Sequence, residues 1–566
     1  AAGVSGGLTK IGAGTLILTG SSTYTGPTVV SSGTFQIGAA GTAGSIAASS
    51  TVSLAAGTVL NFARTDAYGG AFANRVTGAG TIRIASGTLG LSSAASDFSG
   101  GSLIAAGVLR YDAVTALGSG SVTFTGSSTL QAGVSGTLAN ALSLGTGVTG
   151  TFDSQANAAV LTGVISGSGN VVKSGVGTLT LAAVNTYTGT TTVAGGGLIL
   201  ADQTVLSGWS TPGAYVVNAG GALGVTNVFT DADVATILGT GNFAANGQIG
   251  FDTSAGDRSW TTALSGSIGL AKFGANSLYL STANTYTGTT TAAGGRLLID
   301  NLLALQNSPA LSVSSGATAG FGPTIAASST FVLQPSLTGS GTLSLLDSTG
   351  LLPVSVSVGG TNASSTFSGA VTGLGDLVKT GSGTLTLTGT SAYTGNTIVN
   401  GGILEVTGAG QLGGGTYAGT MSVAAGSTLR FNITGTQTLA GSIIGPGTFQ
   451  KLGSGTLTLT GSSSLAGGNF NAGTSGGAPA GFGVIVSAGT VSNIAYLAVN
   501  TGTLAITSGS LAVTSQIKVN DGSGGAAVIN QTGGDFVLTG SSNVNSNLTS
   551  FLFGHWAGAA TWNISA

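Results

Sequence analysis

The sequence predicts an all-β fold, a single long right-handed parallel β-helix, or β-solenoid, of roughly 25 coils. Two observations lead to this prediction. One short sequence motif, which we call the repeat word, recurs along the chain, and apolar residues alternate with Ser and Thr within its copies. Recurrence indicates an array of units that pack on their neighbours. Strict alternation indicates strands with one buried face and one solvated face.

The clearest copy of the word runs from Leu377 to Leu404. Its central segment, Gly-Thr-Leu-Thr-Leu-Thr-Gly at 383–389, alternates strictly, so Leu385 and Leu387 are expected to point into the core. The flanking glycines allow the positive φ angles that tight corners need. Tyr393 belongs to the next predicted corner, and a further short strand follows. The word leaves no room for a helix.

Other copies of the word keep a lysine and, in most cases, a tyrosine downstream. A weaker copy lies around residues 82–89, and the copy near residue 451 has lost its tyrosine. We predict that the lysines act singly at corners, because even the closest pair is 451 − 379 = 72 residues apart, roughly three coils. The tyrosines are predicted to form packed corners, with a platform for sugars as the alternative. The repeat residues are Lys10, Lys173, Lys272, Lys379 and Lys451, with Tyr24, Tyr187, Tyr286 and Tyr393.

The sequence divides into three parts. Residues 1–467 are predicted to be solenoid built from the first repeat, 468–482 a transition rich in Gly, Ala and Pro, and 483–566 a continuing solenoid with a second repeat. In the second repeat, Asn530 and Asn563 are 563 − 530 = 33 residues apart and are expected to face inward and stack. Because the chain starts and stops inside coils, we expect either an apparently truncated segment of a longer protein or ends that stack on other copies.

Composition excludes several classes of protein. Hydrophobic residues make up 42% of the chain and alternate, so they can form a core that disordered tracts lack. A net charge of −2 and scattered basic residues give no footprint for nucleic acid. The absence of cysteine removes disulfides and thiolate sites. No apolar run reaches the roughly 18 residues of a membrane-spanning helix.

No metal site or cofactor is predicted, although one acidic group is a weak candidate for a calcium site: Asp231, Asp233, Asp252 and Asp257. Asp231 and Asp252 are 252 − 231 = 21 residues apart, which could place them on successive coils. Carboxylates that close would need a cation or an arginine between them. A loop cluster paired with Arg258 is the structural alternative, and a glycan-cleaving carboxylate pair is a third interpretation.

No catalytic residue is predicted. His555 is the one histidine of the sequence, and neither a serine elbow nor an acidic partner lies near it. Serine–histidine–acid chemistry needs three groups in register. His555 is therefore interpreted as a loop or corner residue.

The word Lys-x-Gly-x-Gly-Thr-Leu-x-Leu, followed by Asn/Ser-x-Tyr-Thr-Gly, resembles the autotransporter-associated β-strand repeat of large secreted bacterial proteins. The match is specific around Lys10, Lys173 and Lys379 and, with looser coils, covers residues 1–467. The resemblance implies export, a β-helical passenger and a location outside the cell, at the bacterial surface. It does not imply any one activity.

Three functions follow as hypotheses. The first is a non-enzymatic extracellular structural protein, a rod or filament segment that associates with itself end to end or side by side. The second is an autotransporter passenger that acts as an adhesin, with its ligand site in the irregular segments and host or surface glycans as possible partners. The third is a polysaccharide-acting enzyme, whose activity would depend on Asp252.

Overall fold

A computed structural model describes residues 6–68, 70–325, 330–333, 336–466, 468–472, 483–499, 502–519, 527–538, 551–553 and 560–564. The chain forms two compact units: unit 1 comprises residues 1–255 and 267–271, and unit 2 comprises 256–266 and 272–566. In both units short parallel strands stack coil on coil, and the coils amount to about 24 turns. This confirms the predicted all-β parallel solenoid and closely matches its coil number.

Unit 1 contains four sets of stacked strands among its described residues. The first set is Leu8–Lys10, Thr28–Val30, Val52–Leu54 and Val76–Gly78. The second is Thr15–Leu18, Thr34–Gly41, Val59–Arg64, Thr81–Ser86, Ser102–Ile104, Val122–Phe124, Leu142–Leu144 and Ile165–Gly167. The third is Ala71–Phe72, Thr88–Leu91, Val108–Tyr111, Ser128–Ala132, Thr149–Asp153, Asn170–Ser174, Thr191–Val193 and Tyr215–Val217. The fourth is Gly136–Leu138, Ala158–Leu161, Thr178–Leu181, Gly196–Leu200, Gly221–Val225 and Gln248–Asp252.

Unit 2 continues the same pattern in its described part, and the strand Gly269–Phe273 has residues in both units. One set of strands is Arg258–Trp260, Ser277–Leu280, Arg296–Ile299, Thr318–Phe321, Thr342–Asp347 and Ala370–Gly373. A second is Thr416–Tyr417, Thr436–Leu439, Thr456–Leu459, Gly483–Val486, Gly502–Ile506, Ala527–Gln531 and Ala560–Ile564. The remaining strands are Thr290–Ala292, Ala310–Val313, Thr330–Leu333, Ser336–Gly339, Ser355–Val358, Ser365–Phe367, Leu377–Lys379, Thr384–Leu387, Thr397–Val399, Ile403–Gly408, Met421–Val423, Thr428–Ile433, Ile443–Ile444, Thr448–Leu452, Ser463–Ser464, Asn469–Ala472, Thr490–Val499, Ser510–Val519, Asp535–Leu538 and Phe551–Phe553.

The hydrophobic core consists of ladders of inward-facing side chains. Leu387 lies in register with Phe367 of the preceding coil and Val406 of the next, and all three are buried. Thr384 and Thr386, between the inward positions, are only partly buried. The alternation predicted from the sequence therefore sets the burial of this strand. Full burial of one leucine stabilises the fold by about 1.5–3 kcal/mol.

Glycine is required where corners of successive coils touch. Gly402 has a φ of +59°, and a Cβ there would lie 2.3 Å from the carbonyl oxygen of Gly383 in the preceding coil. Gly381 likewise has a φ of +68°. Any side chain at these corners would combine backbone strain with a steric clash.

One α-helix, α1 (Asp231–Gly239), interrupts the described strands, and a 3₁₀ turn spans Gly413–Gly415. A capping box starts α1: the Thr230 hydroxyl accepts from the Asp233 amide, and the Asp233 carboxylate accepts from the Thr230 amide at 2.8 Å. Asp231 thus lies on a helix, and the prediction that it sits opposite Asp252 on a neighbouring coil is wrong. None of the described helices is long and apolar enough to cross a membrane.

The second repeat is aligned as its asparagines suggested, but their orientation differs. Asn530 and Asn563 are in register on neighbouring strands. Ile529 is buried whereas Asn530 is partly exposed, so Asn530 faces outward and the inward orientation predicted for it is wrong. Most of the predicted transition, residues 473–482, lies outside the described residues.

Candidate functional site

The lysines of the repeat lie in the core, at strand positions that otherwise hold apolar side chains. Lys173 is in register with Phe152 on one side and Val193 on the other, and its side chain is fully buried. Lys379 lies in the same way between Val358 and Val399. The other repeat lysines, Lys10, Lys272 and Lys451, are also buried.

In four of the five copies the lysine ammonium binds carbonyl oxygens at the corners of two successive coils, and the ammonium of Lys451 binds those of Leu452 and Gly453 in its own corner. The Nζ of Lys379 donates to the carbonyl oxygens of Thr380 at 2.5 Å and Gly381 at 2.9 Å, and to that of Gly401 in the next coil at 3.1 Å. Three acceptors match the three donors of an ammonium. The same arrangement recurs for Lys10 with Ile11, Gly12 and Ser32, for Lys173 with Ser174, Gly175 and Gly195, and for Lys272 with Phe273, Gly274 and Gly294.

Burial lowers the pKa of three of these lysines, Lys173, Lys379 and Lys451. It lowers the pKa of Lys173 to about 8, even though the nearby Asp153 carboxylate acts in the opposite direction. Burial also lowers the pKa of Lys451 to about 8 and reduces the pKa of Lys379. With a pKa of about 8, Lys173 and Lys451 still carry mainly the ammonium form, which supplies three donors, at neutral pH.

A chain of hydroxyl groups forms the tyrosine corner. The Tyr286 hydroxyl hydrogen-bonds to Thr290 Oγ1 at 2.6 Å, which contacts Ser308 Oγ of the next coil at 2.9 Å. Ser308 Oγ then donates to the carbonyl oxygen of Gly288 at 3.1 Å, back in the corner of the first coil. The same circuit joins Tyr24, Thr28, Ser50 and Gly26, and Tyr393, Thr397, Tyr417 and Gly395.

These tyrosines are mostly interior side chains. Tyr187, Tyr286 and Tyr393 are buried and Tyr24 is partly buried, and Tyr187 also bonds to the threonine four residues on. Rings in such positions fill corners between coils and present little surface to a sugar. The lysine and tyrosine motifs thus use their polar groups to join each coil to the next.

We expect Tyr393→Phe to weaken the corner by about 0.5–1.5 kcal/mol, since it removes one net hydrogen bond while keeping the ring. Hydrogen exchange of the peptides covering residues 377–406 measures the loss. Tyr279→Phe is the control because Tyr279 is partly exposed on a strand. The hydroxyl circuit contributes nothing if Tyr393→Phe lowers the protection of residues 377–406 no more than Tyr279→Phe lowers the protection of the peptides around residue 279.

The buried lysines and tyrosines predict a stability maximum in mildly alkaline solution. Between pH values of about 8 and 10, unfolded lysines hold protons that folded Lys173 and Lys451 release, so stability rises with pH. Burial raises the pKa of Tyr286 and, to about 12, that of Tyr393. Above about pH 10 the unfolded tyrosines ionise first, and stability falls.

Urea unfolding midpoints measured at about pH 7, 9.5 and 11 test this profile. Lys173→Met is the matched variant, because it should reduce the rise to the part that Lys451 contributes and leave the alkaline fall unchanged. A midpoint that declines steadily from neutral pH upward would contradict the assignment of the rise to the buried lysines.

Three of the acidic candidates, Asp233, Asp252 and Asp257, form hydrogen bonds with neighbouring Thr or Ser residues. In unit 1, the carboxylate of Asp252 accepts from the amide and hydroxyl of Ser254, at 3.0 Å and 2.6 Å. In unit 2, Asp257 accepts from the amide of Ser277 at 2.6 Å. Hydrogen bonds from Thr230 lower the pKa of Asp233, in keeping with its capping role. Among the described residues, no three His, Asp or Glu side chains come together as metal ligands would.

His555 lies outside the described residues, so its interpretation as a corner residue stays a prediction.

Sequence reasoning missed the interior position of the lysines and a second device that joins coils. Asn185 accepts from the Ile165 amide at 2.7 Å and donates to the Val205 carbonyl oxygen at 2.7 Å, so it links three coils. Asn284 does the same with Leu264 and Ala304. The sequence signal for this device is the asparagine two residues before the tyrosine in the repeat word, as in Asn185 and Asn284.

Comparison with known proteins agrees with the repeat structure. Five segments match the family described as passenger-associated-transport-repeat: 8–37, 86–110, 171–200, 270–299 and 377–406. The chain is also 29% identical over 453 residues to the adhesin BmaC autotransporter of Brucella suis biovar 1 (strain 1330). That alignment covers 70% of this chain but only 13% of the relative. No solved structure matches the chain significantly.

Proposed function

Because the chain carries five passenger-associated transport repeats, we propose that it is a β-solenoid portion of a bacterial surface passenger that serves adhesion without catalysis. The observation that carries the proposal is the alignment of 70% of the chain with a protein named as an autotransporter adhesin. Its location would then be the cell surface or the extracellular space.

The contacts of the repeat support a non-catalytic role. The repeated lysines and tyrosines could supply chemistry, but their ammonium and hydroxyl groups are used between coils. Function is then expected in the segments that depart from the repeat, since loops held on a rigid scaffold commonly carry binding sites.

Surface display tests this function. The complete chain, fused to a surface anchor, is displayed on a non-adherent bacterium, and attachment to cultured epithelial cells is counted with an antibody check of display. We expect attachment several-fold above that of bacteria displaying the anchor alone. Equal attachment at equal display would overturn the adhesive function.

A structural role in filaments is the second candidate. Charged residues are 5% of the chain and the net charge is −2, so little electrostatic repulsion opposes contact between copies. Electron microscopy and sedimentation of the purified chain over a range of concentrations test this role. Continuous filaments would support it, and a concentration-independent monomer would exclude self-association of this segment.

A further inference from the structure

Two connections in unit 1 are longer than the corners of the repeat. Residues 201–214 join the strands Gly196–Leu200 and Tyr215–Val217, and residues 226–247, which contain α1, join Gly221–Val225 and Gln248–Asp252. We call these two segments the corner lobe. In solenoid proteins, insertions of this kind emerge on one face, which is often the binding face.

Side-chain hydrogen bonds join the two segments of the corner lobe. The buried Asn242 donates to the carbonyl oxygen of Thr211 at 2.9 Å and accepts from the amide of Gly213 at 2.7 Å. Trp209 of the first segment packs edge to face on Phe229 of the second, with ring centroids 5.7 Å apart. A lobe fixed in this way is preorganised, which reduces the entropy lost when a ligand binds.

The corner lobe borders an open depression of about 450 Å³, a volume within the usual range for small-molecule sites. Its lining includes Tyr215, Val216, Thr240, Gly241, Asn242 and Phe243. Phe243 is partly buried and meets Tyr215 edge to face at 6.5 Å, while Val216 is 42% exposed. The depression therefore combines exposed apolar surface with the polar backbone of a glycine corner.

The charge of the corner lobe restricts its ligands. Its two segments contain three aspartates, Asp202, Asp231 and Asp233, and no lysine or arginine. The residues that line the depression are all uncharged, and the two segments offer an anionic ligand no basic partner. Nucleic acids, sulfated polysaccharides and sialylated chains are thereby disfavoured, and uncharged ligands are favoured.

We propose that this depression binds an uncharged saccharide, and the inference rests on the proposed adhesive function. A sugar ring has an apolar C–H face and a rim of hydroxyls. Val216 and Phe243 provide the apolar contact surface, and the exposed backbone of Gly241 provides polar partners. The few aromatic and polar groups that converge here fit the pattern of a small-ligand pocket.

Binding of the purified complete chain to immobilised oligosaccharides tests the proposal. The probes end in glucose, galactose, mannose or N-acetylglucosamine, and each is paired with a sulfated or sialylated version. We expect binding to at least one uncharged probe, with its charged version bound at least ten-fold more weakly.

Val216→Glu is the test variant, because it places a charge at the exposed edge of the depression. We expect it to weaken binding at least ten-fold while thermal unfolding is unchanged. Val184→Glu, at a 58% exposed valine of unit 1 that does not line the depression, is the matched control and should bind normally. Phe243→Ala provides a second test, checked by circular dichroism for retained fold.

Three results would overturn the saccharide site: preference for the charged probes, unchanged binding by Val216→Glu, or no binding to any uncharged probe. The last result has two distinguishable forms. If displayed chains still attach to epithelial cells, adhesion stands and its ligand is not an uncharged saccharide at this depression. If attachment is also absent, the adhesive function itself fails.

Discussion

Leu387→Asp is expected to unfold its own coil and to disrupt both adjacent coils. Leu387 is 1% exposed, and its ladder neighbours are Phe367 and Val406. An aspartate there would bury a carboxylate without a partner, which costs several kcal/mol and more than most single substitutions. Limited proteolysis and hydrogen exchange of residues 365–406 should both show the loss.

Thr384→Asp is the control for this effect. Thr384 lies on the same strand, three residues away, at a partly exposed position outside the inward ladder. The same carboxylate is solvated there, and we expect a change within about 0.5 kcal/mol. If the two variants resist protease equally, the inward assignment of Leu387 is wrong.

Lys379→Met is expected to destabilise the same coil by about 2–4 kcal/mol at neutral pH. The methionine keeps much of the aliphatic stem but leaves the carbonyl oxygens of Thr380, Gly381 and Gly401 without their donor. Relief from burying a charge offsets part of this loss. Amide exchange in residues 377–406 should accelerate about thirty-fold or more.

The control for Lys379→Met is a substitution that removes a solvent-exposed charge. Arg75→Met breaks an ion pair with Asp97 at 2.9 Å, but both side chains are about half exposed, so we expect a cost within about 1 kcal/mol. Stabilisation by Lys379→Met would mean that burial of the ammonium outweighs its three hydrogen bonds.

The fold followed from the sequence because its determinants are local and repeated. Alternation in Thr384–Leu387 decides which face is buried, and glycines such as Gly402 decide where the chain turns. Each repeat contains the same alternation and the same glycines. Even a decayed copy, that of Lys272, therefore keeps the hydrogen bonds from its lysine to three carbonyl oxygens.

The candidate sites were harder to predict because they depend on contacts between coils. Nothing in the hydropathy of Lys379 indicates burial; its place in the core depends on three carbonyl oxygens, one of them 22 residues away. Helix α1 was not predicted from the sequence, because its capping pair, Thr230 and Asp233, lies among acidic residues that are equally compatible with a loop. The depression beside the corner lobe forms only where residues 201–214 and 226–247 meet, so neither segment alone predicts it.

The lysine contacts between coils all run from one coil to the coil that follows it in the chain. Lys379 obtains two acceptors from its own corner and the third from Gly401, which belongs to the coil that follows. The hydroxyl circuit of Tyr286 likewise closes through Ser308, further toward the C terminus. Each of these coils therefore depends on its successor for one partner of a buried polar group, in addition to the partners in its own corner. The hydrogen bond is lost whichever of the two coils unfolds, so unravelling of one coil would weaken both of its neighbours.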